Sequence, residues 1–426
     1  MGDILVRGGV PLHGAVQVSG SKNAALPILV AALLNEQPVT LRNVPALKDV
    51  DVTAQVLRSL GAHCDCCAGG TVTVDAGSID STEPPYELVN QMRASFLVLG
   101  PLLARFGEAR VPLPGGCEIG VRPVGEHLAA MRALGAEISQ EAGTIHAIAP
   151  SKRLSGAEIY FDKASVGATE NAVMAATLAD GVSTLHNAAL EPEVVDLCHF
   201  LTRCGVRIDG VGTKTITVHG QPRLSAAIDY TIIPDRIEAG TYLLALAGTG
   251  GEGTVHGARP DHLEALTLKL REAGVAVDFG EDWIEVRAGQ PLRALQITTD
   301  VYPGFPTDLQ AQMTAVLCHA EGYSTVRETI FESRLRHVAE LLRMGAAISI
   351  SGDTAIISGR AGEMVGARVQ AHDLRCAASL VIAGLMATGE TRIDGLRYLL
   401  RGYENLPQKI AGIGGHVEFS SVNVEA

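Results

Sequence analysis

The sequence predicts an α/β protein of two similar domains, each assembled from three repeated α/β units with buried helices. Three observations carry that reading. A short helix-end phrase recurs six times, as VLRSLGAHC, AMRALGAEI, FLTRCGVRI, KLREAGVAV, LLRMGAAIS and KIAGIGGHV. Its leading glycine falls at Gly61, Gly135, Gly205, Gly274, Gly345 and Gly414, with spacings of 74, 70, 69, 71 and 69 residues. Second, a helix rich in Ala, Gly and Leu on all sides recurs with the same period. Third, a strand-like piece such as PVTLRNV, STLHNAA, GTVHGA, STVRET or ETRIDG follows most of these helices.

Each element has a physical reason. Glycine after the last helical residue fits the C′ position, where a left-handed backbone is favoured, and the apolar β-formers behind it begin a strand. The segments SKNAALPILVAALL, MRASFLVLGPLLARFG, VGATENAVMAATLADG, IEAGTYLLALAGTGG, PTDLQAQMTAVLCHAEG and LRCAASLVIAGLMATGE have no polar stripe, which marks helices enclosed by a domain. An aromatic content of 4% suits helices that pack closely through small side chains. Units of this length exceed the usual solenoid repeat of roughly 20 to 50 residues, so three can close a domain and six can make two. Two domains create a cleft, a preferred place for a ligand.

The totals exclude several classes. With 34 basic and 47 acidic residues the formal charge is −13, and no basic block is present, which argues against a nucleic-acid binder. The start MGDILVRGGVPLHG has neither a basic n-region nor an apolar h-region, so no signal peptide is expected. No apolar run approaches a membrane span. Eight cysteines without framework spacing point to a reduced, cytoplasmic compartment. The cluster holding Cys64, Cys66 and Cys67 lacks a second ligand pair, so no metal is expected there. GxGxxG and Walker motifs are absent.

The polar residues collect at three kinds of position. Lys22 and Asn23 open the first apolar helix, Arg93 the second and Asp308 the fifth; Asp373 and Arg375 open the sixth, and Arg236 precedes the fourth. A cation at a helix start opposes the helix dipole, and proteins tolerate it where an anionic ligand binds. The alternative is a set of interdomain salt bridges. The second kind is the loop after the short strand: LPGGCEIGVRPVGEH with Cys117, Arg122 and His127, ETIFESRLRH with Arg334 and His337, and LRYLLRGYEN with Arg401. A thiol in an electropositive Gly- and Pro-rich loop is the kind whose thiolate becomes available, for proton transfer or covalent attachment. The third is DKASVGATE, with Lys163, Ser165 and Gly167, which reads either as a capped turn or as a phosphate-binding helix start. Asp308 reads either as an N-cap or as a base in a cleft.

These stretches, with SGSKNAALPIL, QMRASFLVLGP, PDRIEAGTY, GFPTDLQAQ, HDLRCAASL and RGYENL, closely resemble the enolpyruvyl transferase family, on its UDP-N-acetylglucosamine-using side, from one end of the chain to the other. The sister branch that acts on shikimate 3-phosphate is not expected to carry the PGGC loop. The resemblance implies an inside-out barrel fold, with helices inside and sheets outside. It implies one domain of residues 22–231 carrying the Cys117 loop and a second of residues 1–21 plus 232–426, with the site in the cleft between them. It implies two small-molecule substrates, phosphoenolpyruvate and UDP-N-acetylglucosamine, no cofactor and no metal, and a bacterial enzyme opening peptidoglycan precursor synthesis, with a monomer favoured.

By the same resemblance, phosphoenolpyruvate is held by Lys22, Asn23, Arg122 and Arg401. The UDP-sugar is received by Asn23, Arg93, Arg122, Pro123, Val124, Gly125, Glu126, Lys163, Ala164, Ser165, Val166, Asp308 and Ile330. Cys117 is the proton donor and forms a phosphoenolpyruvate adduct; Asp308 is the base for the sugar 3-hydroxyl; Lys22 and Arg401 assist; Arg334, Asp373 and Arg375 support the cleft. One departure lies among these residues, Gly125 where well-known members carry aspartate.

Overall fold

The computed structural model describes residues 2–67, 69–115, 120, 123–289, 291–360 and 364–420. Six apolar helices appear where the repeats put them: α1 (Lys22–Ala31), α2 (Leu99–Phe106), α3 (Val166–Ala176), α4 (Arg236–Gly248), α5 (Gln310–Leu317) and α6 (Leu374–Met386). Nearly every residue of each is buried. In α5 even Gln310, Gln312 and Thr314 are excluded from solvent. Small side chains permit this closeness. Gly100 in α2 donates its N–H to Asn171 Oδ1 of α3 at 2.7 Å, and a Cβ on Gly100 would stand 2.3 Å from that oxygen.

The helix-end phrase is one repeated structure. All six of its glycines take a left-handed backbone, with φ between +80° and +99°. Each closes the same pair of bonds: Gly61 N–H donates to the Arg58 carbonyl and Ala62 N–H to that of Leu57, and the other five copies repeat the pattern. This double closure satisfies carbonyls that a helix end leaves open. Arg58 and Arg271 add a clasp, each donating to the carbonyl six residues on, that of Cys64 and of Val277 respectively.

Among the described residues, five sheets of four strands and one of three carry the strands. The recurring plan sets a parallel strand at one edge of an otherwise antiparallel group, and its partners are not always neighbours in sequence. We label β1 (Asp3–Arg7), β2 (His13–Gln17), β3 (Val39–Arg42), β4 (Ile228–Thr231), β5 (Glu252–His256), β6 (Glu390–Asp394) and β7 (His416–Phe419). β2 leads into α1 yet pairs with β5, and β4 leads into α4 yet pairs with β3. β1 lies between β6 and β7, antiparallel to both.

The chain divides into two compact units: Gly20–Cys117 with Arg122–Ile233 form one, and Met1–Ser19 with Pro234–Ala426 form the bulk of the other. Each has its own apolar core, one running from Ala24 to Ile232 and the other joining Ile4–Val18 to Ile237–Val417.

The first unit buries one carboxyl deeply. Glu170 of α3 is 4% exposed, and burial first, then Glu193 and Glu191, pushes its pKa well above the ordinary carboxylate range. A raised folded-state pKa gives stability that is full below the unfolded value, about 4.3, and drains as pH rises above it. Glu170→Gln is therefore expected to be more stable than the parent at neutral pH and no more stable near pH 4. Urea midpoints at the two pH values check this, and a gap that does not grow with pH refutes it.

Candidate active site

In the first unit the sequence-predicted residues stand at helix starts. Ser21 caps α1 by accepting the Ala24 N–H, so Lys22 and Asn23 form its first turn, which holds no acidic residue. Lys22 Nζ lies 3.3 Å from Asp49 Oδ2, and the two side chains are 12% and 5% exposed. Asp49 comes from the adjoining helix Lys48–Ser59. Pro27 sits inside α1. Having no N–H, it denies the Asn23 carbonyl the usual bond from four residues on.

Arg93 opens a 3-10 turn, Arg93–Val98, rather than an α-helix, and α2 begins only at Leu99. Its Nη2 donates to the Pro123 carbonyl at 3.0 Å, tying it to the predicted sugar-nucleotide stretch. Val124 precedes the helix Gly125–Ala133, with Glu126 in the first turn. Nothing lies within 4 Å of where a Cβ on Gly125 would be, so the aspartate of other members is not sterically barred there. Ser165 caps α3 by accepting the Ala168 N–H at 3.4 Å, with Val166 as the first helical residue and Lys163 and Ala164 just before it. Of the two readings of this segment, the cap is present. Lys163 is exposed, and among the described residues it makes no hydrogen bond or ion pair. Cys117 and Arg122 lie outside the described residues.

In the second unit the predicted charges converge. Asp308 sits in a single 3-10 turn, Thr307–Leu309, that leads into α5, and its carboxylate caps neither helix. Instead Oδ1 accepts Arg334 Nη2 at 2.7 Å, and Oδ2 accepts Arg375 Nη2 at 2.6 Å. The guanidiniums are almost enclosed, at 4% and 7% exposure, while Asp308 keeps 27%. Burial alone would raise the Asp308 pKa, but Arg375 and then Arg334 overrule it and hold the carboxyl well below the ordinary range. Both of these ion pairs lie within one unit, not between domains.

Neighbouring groups fix this clamp. Gln312 Nε2, one turn into α5, donates to the Asp308 carbonyl at 2.9 Å. Arg375 Nη1 reaches Tyr403 Oη at 3.5 Å, and Tyr403 Oη bonds Thr241 Oγ1 at 2.8 Å. Asp373 does not join the clamp: it caps α6, its Oδ1 accepting the N–H groups of Arg375 at 2.7 Å and Cys376 at 3.0 Å. Arg334 lies over the Phe331 ring, 5.2 Å from its centre. The Arg334 carbonyl is bonded to buried His337 Nδ1 at 3.1 Å, and burial lowers the His337 pKa to about 4, so that ring is neutral at pH 7. The Ile330 N–H donates to Glu328 at 2.9 Å. Arg401 is half-buried in the turn after the short helix Leu396–Leu399.

Comparison with known proteins places this geometry. The EPSP synthase (3-phosphoshikimate 1-carboxyvinyltransferase) family description matches residues 6–410. The chain is 51% identical to a protein of Novosphingobium aromaticivorans named UDP-N-acetylglucosamine 1-carboxyvinyltransferase, covering 98% of this chain and 99% of that one. Proteins of the same name from Shewanella amazonensis and Desulfovibrio desulfuricans are each 50% identical, again over 98% of this chain and 99% of theirs. The chain belongs to the enolpyruvyl transferase family. Among solved structures, the enolpyruvyl transferase NikO from Streptomyces tendae superposes with a TM-score of 0.88 at 27% identity, covering 98% of this chain and 99% of that one. EPSP synthase from Acinetobacter baumannii shares the fold, with a TM-score of 0.79 at 18% identity over 99% and 100% of the two chains.

For this enolpyruvyl transferase, sequence reasoning missed the residues that hold others in place. Asn171 links α3 to the Gly100 N–H and, at 3.1 Å, to buried His127 at the start of the helix Gly125–Ala133. Asp49, Gln312, Tyr403 and Glu328 were likewise unmarked. The available signal was a polar residue inside an otherwise apolar run, as in ATENAVMAA and DLQAQMTAV. Such a residue must find a partner or leave the core.

Proposed function

We propose that the enzyme transfers the enolpyruvyl group of phosphoenolpyruvate to the 3-hydroxyl of UDP-N-acetylglucosamine and releases phosphate. The observation that carries this is identity of 50% or more, over 98% of the chain, to three proteins named for that activity. The paired guanidiniums on Asp308 support it, because they keep an acceptor oxygen ionised beside a helix start.

The chemistry follows from the charges. Cys117 protonates the methylene carbon of phosphoenolpyruvate, leaving cationic character on the carbon that bears the phosphate. Lys22, Arg122 and Arg401 neutralise the phosphate and carboxylate, which stabilises that charge distribution. The sugar 3-hydroxyl attacks the cationic carbon while Asp308 accepts its proton, giving a tetrahedral adduct that still carries phosphate. A carboxylate with so low a pKa is a weak base. It suffices because a hydroxyl adding to a cation becomes strongly acidic as the new C–O bond forms. Departure of phosphate and of one methyl proton restores the vinyl group. Asn23, Arg93, the stretch from Arg122 to Glu126, the segment from Lys163 to Val166, and Ile330 receive the UDP-sugar in this reading. Both substrates are charged intracellular metabolites, so the reaction runs in the cytoplasm. No helix among the described residues is long and apolar enough to cross a membrane.

The test is phosphate release from phosphoenolpyruvate with UDP-N-acetylglucosamine as acceptor, comparing the parent with Cys117→Ala. Release by the parent and a loss of about 10²- to 10⁴-fold in the variant are expected, the range for removing a general acid. Release only with shikimate 3-phosphate as acceptor overturns the substrate. Equal activity in both proteins overturns the role of Cys117.

A further inference from the structure

One buried carboxylate in the second unit has no part in the chemistry above, yet it joins two segments that do. Glu328 follows the strand Gly322–Arg327 and is 4% exposed. Its Oε1 accepts the N–H of Ile330 at 2.9 Å, the N–H of Phe331 at 3.3 Å and the hydroxyl of Thr299 at 3.0 Å. Its Oε2 accepts the hydroxyl of Thr307 at 2.9 Å. Among the described residues it makes no ion pair, so four neutral donors stand where a buried anion usually has a cation. An ionised carboxylate accepts at both oxygens, and here three donors share Oε1 while one takes Oε2.

The two partners on either side matter for what they adjoin. Thr307 is the residue before Asp308 and lies in the same 3-10 turn. Phe331 is the ring over which Arg334 lies, and Arg334 is one of the two guanidiniums on Asp308. Glu328 therefore holds the hydroxyl of the residue before the base and, separately, the backbone N–H of the residue whose ring lies under its partner.

We propose that Glu328 is a positioning residue for Asp308, setting the turn that carries the base and the loop that carries Arg334 into register with one another. This rests on the enolpyruvyl-transfer reading. Its role is to hold geometry, since it is 4% exposed and both its oxygens are bound to these loop and turn donors. A displacement of the base by about 1 Å can cost on the order of 10²-fold in rate. Binding of phosphoenolpyruvate does not depend on Glu328 in this scheme.

Three variants test it, each assayed for phosphate release and thermal midpoint. Glu328→Ala is expected to lower kcat on the order of 10²-fold while leaving KM for phosphoenolpyruvate near the parental value. Glu328→Gln is expected to keep most of kcat, because its carbonyl still accepts the Ile330 and Phe331 N–H groups and its amide can donate to Thr307. Thr307→Val removes only the link to the Asp308 turn, nearly without change of volume, and is expected to lower kcat about tenfold. The control is Glu340→Ala, which deletes another buried carboxylate of the same unit, one that accepts the Gln370 N–H at 2.9 Å, pairs with Arg343 and His372 and, among the described residues, makes no hydrogen bond or ion pair with a site residue. It is expected to lower the thermal midpoint and spare kcat. Parental kcat in Glu328→Ala or in Thr307→Val overturns the proposal, as does a Gln variant as impaired as the Ala variant. Should Glu328→Ala fail to fold, Thr307→Val still decides. Absence of phosphate release by the parent overturns the underlying reading instead, before any variant is compared.

Discussion

Asp308→Asn is expected to lower kcat by about 10²- to 10⁴-fold, the range for loss of a general base, and to weaken the fold as well. The substitution leaves Arg334 and Arg375, at 4% and 7% exposure, facing a neutral amide. One guanidinium keeps the amide oxygen, while the other meets an NH₂ group, donor against donor. Breaking a buried pair costs roughly 3–5 kcal/mol. The 27% exposure of Asp308 moves the expectation to the lower end of that range. The pH dependence has a fixed sign. A depressed carboxyl pKa gives stability that is full above the unfolded value, about 3.9, and is lost as pH falls through the folded one. The stability gap between parent and variant should be constant above about pH 5 and should narrow in acid. Urea midpoints across that range check the second effect, and phosphate release checks the first. A gap that widens in acid would contradict the clamp.

Lys22→Met is the other large expectation, and here binding and folding can be separated. Hydrogen bonds to charged groups contribute about 1.5–3 kcal/mol, so KM for phosphoenolpyruvate should rise roughly 10- to 100-fold. The same change deprives Asp49, 5% exposed, of its ammonium, and the thermal midpoint should fall. Adding Asp49→Asn removes the carboxylate that faced the ammonium. The double variant is expected to regain most of the lost midpoint and none of the lost affinity. If affinity returns with stability, the lysine serves the fold alone.

The parts of this fold that were legible in the sequence are those fixed by neighbours along the chain. A glycine that must sit at φ near +90° at a helix end leaves the same local phrase six times over, and all six phrases proved to be that cap. Helices α1 to α6 were legible because enclosure removes the polar stripe, and their burial bears this out. Strand partners were not legible. β2 and β4 each adjoin one helix in sequence and pair with a strand more than 180 residues away, β5 and β3 respectively, and nothing in the residues of an edge strand names its partner. The candidate site was legible as a set of charges. Its pairing was not: Asp308 carries the composition of an N-cap, and only packing turns its carboxylate toward Arg334 and Arg375. Tyr403 and Glu328 left no trace, because a single buried hydroxyl or carboxylate whose partners come from distant segments has no periodic signature.

The position of β1 bears on how the protein is made. Its partners β6 and β7 begin at Glu390 and His416, so β1 leaves the ribosome long before the strands it pairs with. At about 5–20 residues per second the interval is roughly 20–80 s. During that time the unit spanning residues 20–233 has its whole core available, while the first strand stays attached to it as an unpaired edge of the kind that invites misassociation. β1 keeps that wait short of danger by length: it has five residues, and its outward positions include Asp3 and Arg7. The same adjacency sets β1 and β7 side by side in one sheet. A circular permutant that links β7 to β1 and opens the chain between the exposed Glu281 and Asp282 should pair β1 without that wait and pass it to the strand Trp283–Arg287, whose partners Glu252–His256 and Ala276–Phe279 would then be made last.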